Sequence, residues 1–138
     1  VCRLEGWKGE RVSAQILLWT GTGIDGVMSK VKDFKADGAS LDAGIASTGF
    51  VRYTLADQGG PDCRCERGPR HKSILVPDMI DTLQVFNMDA QTVRPVWLTV
   101  SIPQDAQPGV YQSEVKIVAD GQELNLPLEL EVIVDSIQ

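Results

Sequence analysis

From Pro95 to Val134 the chain repeats one pattern, an apolar residue at every second position, and this constrains the fold more than any other feature. Val96, Leu98, Val100 and Ile102 fall on one side of an extended run, with Trp97, Thr99 and Ser101 on the other. A period of two over this length marks a strand buried on one face. Pro95 and Pro103 bound it, since proline cannot donate to a continuing ladder. Gln107-Pro108-Gly109 predicts a turn, and Val110 to Val118 a second strand with Tyr111, Val115 and Ile117 on one face. Asp120-Gly121 predicts a two-residue hairpin turn, because both central positions of a type I′ turn require positive φ. The return strand, Gln122 to Val134, sets Leu124, Leu126, Leu128, Leu130, Val132 and Val134 against Glu123, Asn125, Glu129 and Glu131. Pro127 stands in the outward set, which predicts an edge position or a bulge there.

The first half is also extended but less regular. Val12, Ala14, Ile16 and Leu18 alternate with Ser13, Gln15, Leu17 and Trp19. Residues Val27 to Ala36 read as one strand and Phe50 to Leu55 as a shorter one, with loops at Asp37-Gly38 and from Asp42 to Gly49. Met79, Leu83 and Phe86 have the spacing of one helical turn, while Ile80 and Val85 equally allow a strand. Residues 56–73 hold glycine or proline at 59–61 and 68–69 and the basic Arg64, Arg67, Arg70 and Lys72. So long an excursion is expected to be exposed and to contact a partner or serve a function. Many short strands and almost no helix predict an all-β fold: a two-sheet antiparallel β-sandwich, immunoglobulin-like, with seven or more strands.

The chain has 138 residues, the size of one domain with a single core, and is 43% hydrophobic, too apolar for disorder. Its net charge of −6, with no basic stripe, argues against nucleic acid and against an anionic membrane surface. No apolar run is long enough to span a bilayer. The start at Val1, without methionine or a leader, is the expectation for a piece of a longer polypeptide.

Cys2, Cys63 and Cys65 are odd in number. A bridge from Cys2 to Cys63 or Cys65 fits an exported protein, and reduced thiols fit equally. Cys63, Cys65 and His71, with Cys2, are the residue types of a zinc site. However, a single residue between Cys63 and Cys65 is less than paired zinc ligands use. Asp57, Asp62, Asp78 and Asp81 have calcium-ligand chemistry without calcium-loop spacing, and aspartates in turns ordinarily bind their own backbone. No metal or other cofactor is therefore expected. With one histidine and no carboxylate in an apolar run, no general acid or base stands out, and no catalytic residue is expected.

Trp7, Trp19 and Trp97 are the side chains able to stack on a sugar ring. Trp19 and Trp97 lie on the strand faces opposite the aliphatic rows, so they read as a domain interface or core, with carbohydrate contact as the alternative.

Several stretches resemble one family in order. Gly6-Trp7-Lys8-Gly9-Glu10-Arg11-Val12 through Leu18-Trp19-Thr20, Val51-Arg52-Tyr53, and Cys65 with Arg67 form the first part of the match. Ser73 to Asp81, Arg94-Pro95-Val96-Trp97-Leu98-Thr99-Val100, Ile102-Pro103 and Pro108-Gly109-Val110-Tyr111 complete it. Together they are similar to the N-terminal domain of glycoside hydrolase family 123. Ser113 departs from the pattern, since relatives tend to carry glycine there. The resemblance implies a sandwich that precedes a (β/α)₈ barrel. The barrel removes β-linked N-acetylgalactosamine, using the substrate's acetamido group as nucleophile beside adjacent Asp and Glu residues. This chain contains no adjacent Asp-Glu pair. The expectation is a single domain over residues 1–138, not itself an enzyme, whose partner is a downstream catalytic domain of the same polypeptide. A stand-alone carbohydrate-binding module, using the tryptophans and the 56–73 loop, is the alternative. The resemblance further implies a periplasmic, cell-surface or secreted location.

Overall fold

A computed structural model describes residues 1–57 and 73–134. Its strands are β1 (Cys2–Trp7), β2 (Arg11–Thr20), β3 (Ile24–Val31), β4 (Phe34–Ala36), β5 (Ala39–Leu41), β6 (Ala46–Asp57), β7 (Ser73–Asp81), β8 (Val85–Met88), β9 (Thr92–Ser101), β10 (Gly109–Ala119) and β11 (Gln122–Ile133). One sheet runs β1-β11-β10-β3-β8, with β4 on β10 and β5 on β4, and the other runs β2-β9-β6-β7. The core lies between them, where Phe34, Val96, Leu98, Tyr111, Val115, Leu128 and Leu130 are almost wholly buried. The chain is thus the expected two-sheet sandwich. Among the described residues every ladder is antiparallel except one: β1 lies parallel to β11, from Cys2 opposite Leu128 to Trp7 opposite Ile133.

The Asp120-Gly121 hairpin forms as its residues require, with φ of 47° and 72°. Pro127 faces Glu114 in a ladder without any register shift, so it makes no bulge. Pairing with β1 begins only at Leu128. Pro127 therefore occupies the stretch of β11 that has a neighbour on one side only, where its missing N–H is harmless. Of the apolar row on β11, Leu128, Leu130 and Val132 are buried, while Leu124 (63% exposed) and Val134 emerge at the ends.

Val27 to Ala36 is not one strand. Val31 pairs with Val115 and Lys35 with Gln112, so four steps on one side span three on the other. This is a β-bulge. Strict alternation from Val27 and Ser29 would have turned Asp33 inward; the extra residue buries Phe34 instead. Asp33 accepts the Ala43 N–H at 2.9 Å from the surface. Ser113, the departure from the family pattern, secures the bulge by donating to the Lys32 carbonyl at 2.7 Å. The β4–β5 hairpin turns at Gly38, whose φ is +76°.

Strand β6 is longer than Phe50–Leu55. Asp42 caps a short 3₁₀ turn at Ala43–Ile45, and β6 begins at Ala46, inside the stretch expected to be loop. Gly49 looked like a loop residue but is a strand residue, because the space its side chain would fill is occupied. A Cβ there would clash with Ile80 Cγ2. The region from Met79 to Phe86 resolves as strand, turn and strand, with no helix. The Asp81 carboxylate accepts the Leu83 N–H at 3.0 Å and holds that turn. No helix among the described residues is long and apolar enough to cross a membrane.

Candidate functional site

The three tryptophans do not converge. On β1, Leu4 and Gly6 face inward, so Trp7, half exposed, stands on the outer face of the first sheet. Trp19 and Trp97 stand on the outer face of the second sheet. They are opposite Val93 and Gln15 respectively, four residues apart along β9, or about 13 Å at strand rise. Trp19 is 70% exposed and Trp97 half-buried.

What gathers around Trp19 and Trp97 is apolar. The ladders place Leu17 opposite Pro95, Trp19 opposite Val93, Trp97 beside Gly49, and Val51 opposite Ile80. Leu17, Trp19, Val93 and Ile80 are all exposed. Alternation fixes this face: the register that buries Ile16 and Leu18 must present Leu17 and Trp19 outward. Pairing of β6 with β9 ends at Phe50, while its pairing with β7 runs to Asp57. The far part of the β6–β7 hairpin therefore continues as a two-stranded ribbon with Leu55 and Leu75 opposed and exposed. Two-stranded ribbons are marginal in water unless they pack on something.

A second feature lies at the other side of β6. A cleft of about 370 Å³ is lined by Phe50, Arg52, Asp81, Phe86, Asn87 and Arg94 among others. Arg52 Nε donates to Asp81 Oδ2 at 2.9 Å, and its Nη2 binds the same oxygen. The Leu83 N–H and then the Arg52 guanidinium hold the Asp81 carboxyl below the usual aspartate range. Arg94 lies 5.5 Å from the Tyr53 ring centre and 5.6 Å from that of Phe86. Its one hydrogen bond among the described residues goes to the Val51 carbonyl at 3.4 Å. Phe86 in turn packs on Phe50, centroids 3.9 Å apart. Sequence reasoning missed this group. Its members come from β6, β7, β8 and β9, and no spacing links them.

Among the described residues, no three His, Cys, Asp or Glu side chains gather as a metal site. Asp81 is engaged as above, and Asp78 lies on β7. Cys63, Cys65, His71, Asp62, the Asp57 side chain and most of the 56–73 loop lie outside the described residues. Cys2 is half-buried, and burial pushes its thiol pKa up.

The described residues form an immunoglobulin-like sandwich with an apolar outer sheet face and an open cleft. The description "Glycoside hydrolase 123 N-terminal domain" matches residues 1–119, and the chain belongs to that family. Among solved structures it is similar to a family 123 glycoside hydrolase from Clostridium perfringens, studied for glycolipid glycan hydrolysis. Identity is 21% and the TM-score 0.83, over 95% of this chain and 22% of that one. The chain thus spans about a fifth of that enzyme's length. A PapD-like domain of human CEP192 is 12% identical, with a TM-score of 0.41 over 95% of this chain and 80% of that one. No curated protein matches.

Proposed function

We propose that this chain is a non-catalytic accessory domain that packs against and supports a downstream (β/α)₈ barrel of the same polypeptide. That barrel would act on N-acetylgalactosamine-containing glycans, and the protein would work in the periplasm, at the cell surface or outside the cell. The observation that carries the reading is the apolar outer face of the β2-β9-β6-β7 sheet, centred on Leu17, Trp19 and Val93 and continued by the β6–β7 ribbon. A contiguous exposed patch of this kind favours contact with a neighbour. Interfaces between domains of one chain are of the order of 600–1,500 Å² and tolerate a mixed polar and apolar surface. Family membership supports the identity of that neighbour.

The experiment is the double substitution Leu17→Ser, Trp19→Ser, made both in the 138-residue chain and in the full polypeptide. Melting of the chain alone should hardly change, because both side chains are already in water. In the full polypeptide, a cooperative melt should split into two transitions, with faster inactivation of β-N-acetylgalactosaminidase activity. Unchanged melting of the full polypeptide would reject this face as the contact. A reading frame that encodes no barrel beyond Gln138 would reject the accessory role altogether.

A further inference from the structure

The first sheet is closed along only part of its edge. Strand β11 runs Gln122–Ile133, but β1 joins it at Leu128. Burial of the inward row follows the covering strand. Leu128, Leu130 and Val132 are buried where β1 pairs; beyond it Leu126 is half-buried and Leu124 exposed. On the second sheet, β2 has β9 as its sole ladder partner among the described residues. Between these two free edges the sandwich opens into a groove of about 290 Å³. Leu17, Leu18 and Trp19 form one wall, Leu124 and Leu126 the other, and buried Ile117 lies at the bottom.

The groove joins an apolar lining to an unpaired backbone. Its side chains are apolar, and the one hydroxyl in the described lining, that of Thr20, is spent on the Thr22 carbonyl 2.6 Å away. Pro127 sits opposite Glu114 in an unbroken ladder, which places its nitrogen on the side away from β10. Along an antiparallel strand the N–H and C=O groups alternate in direction from residue to residue. Those of Glu123 and Asn125 therefore also face the free edge, where no strand meets them among the described residues. A lipid tail would cover the leucines and leave these groups unmet; a small polar ligand would do the reverse. An extended peptide satisfies both, backbone to backbone with alternate side chains turned inward. Strand β1 shows the fit, since Cys2 and Leu4 take the corresponding inward places opposite Leu128 and Leu130.

From this geometry we propose that an extended strand from the remainder of the same polypeptide docks in the groove. It pairs with β11 at Gln122–Leu126, on the track that β1 leaves, and sets apolar side chains at alternate positions against Leu124 and Leu126. The source follows from the mouth of the groove. Leu17 and Trp19 belong both to it and to the apolar outer face of the second sheet, so whatever covers that face stands over the groove. The inference rests on the accessory role proposed above and adds to it a specific mode of attachment.

The test is amide hydrogen exchange, read residue by residue by mass spectrometry, on the 138-residue chain and on the full polypeptide. Glu123 and Asn125 should exchange about tenfold or more slowly in the full polypeptide. Leu124→Ser, at a position exposed in the chain alone, should remove most of that protection. Asn125→Pro deletes one edge-facing N–H, as Pro127 already does, and should free Glu123 in the full polypeptide. Asn125→Ala keeps the N–H and should leave Glu123 protected. Equal exchange of the two amides in both proteins would overturn the docked strand. So would protection at Glu123 that survives Asn125→Pro, the mark of cover without pairing. The accessory role fails separately from this one. If Leu17→Ser, Trp19→Ser splits the melt of the full polypeptide while both amides exchange as in the chain alone, the barrel contact stands and the strand does not. The comparison of the two parent proteins needs no variant, so it holds even if Asn125→Pro fails to fold.

Discussion

The hydroxyl of Tyr111 donates a 2.8 Å hydrogen bond to the carbonyl of Gln107, four residues earlier in the chain. The ring is 1% exposed, so this bond pins the turn at Gln107-Pro108-Gly109 to the core from within. It is the tyrosine-corner arrangement of immunoglobulin-like sandwiches. Tyr111→Phe keeps the ring and removes the donor, leaving the Gln107 carbonyl without this partner. The expected loss is about 1–2 kcal/mol, seen as a lower urea midpoint with an unchanged m-value.

One apolar row on β11 should give two very different answers. Leu128 is fully buried while Leu124 is 63% exposed, though both belong to the same alternation. Leu128→Ala should cost about 2–5 kcal/mol, lost packing plus the cavity left behind. Leu124→Ala should stay within about 0.5 kcal/mol of the parent. Chemical denaturation of both variants checks the contrast.

At Gly121 the backbone alone sets the cost. Its φ is +72°, and a Cβ there would meet nothing within 4 Å. Gly121→Ala should therefore destabilise by about 1–2 kcal/mol through the left-handed conformation and not through a clash. Gly121→Asn, a residue that tolerates this region, should recover part of the loss, read from the same unfolding curves.

The Asp81 carboxyl should titrate below an ordinary aspartate, as followed by carboxyl ¹³C shifts. Because its folded pKa is depressed, its contribution is complete above the unfolded value and is lost as pH falls through the folded one. Arg52→Gln should move the titration only part of the way back, since the Leu83 N–H is the larger cause. A full return to the ordinary value would show that the ion pair, and not the turn, sets the carboxyl.

Alternation made the sandwich legible. The strands from Pro95 to Val134 and the Asp120-Gly121 turn are local patterns, and so is the alternation of Trp19 with Leu18, though alternation alone does not say which of the two faces turns outward. Partnership was not legible, because pairing is decided between segments far apart in the chain. Nothing in Cys2 to Trp7 announces a strand parallel to β11. The bulge at Lys32-Asp33 was hidden because no glycine or proline interrupts the run from Val27 to Ala36. Only the choice between burying Asp33 and burying Phe34 reveals it. Arg94 read as one basic residue in a motif; its aromatic neighbours arrive from β6 and β8.

The parallel ladder of β1 on β11 also decides how the domain bears load. The first strand and the last run side by side in the same direction through six paired residues. The two ends of the described chain therefore leave from opposite ends of one ladder. Tension drawn between them slides the strands lengthwise and strains all those hydrogen bonds together, whereas a hairpin pulled at its open end unzips one bond at a time. A domain pulled by its two ends would resist stretching at this seam.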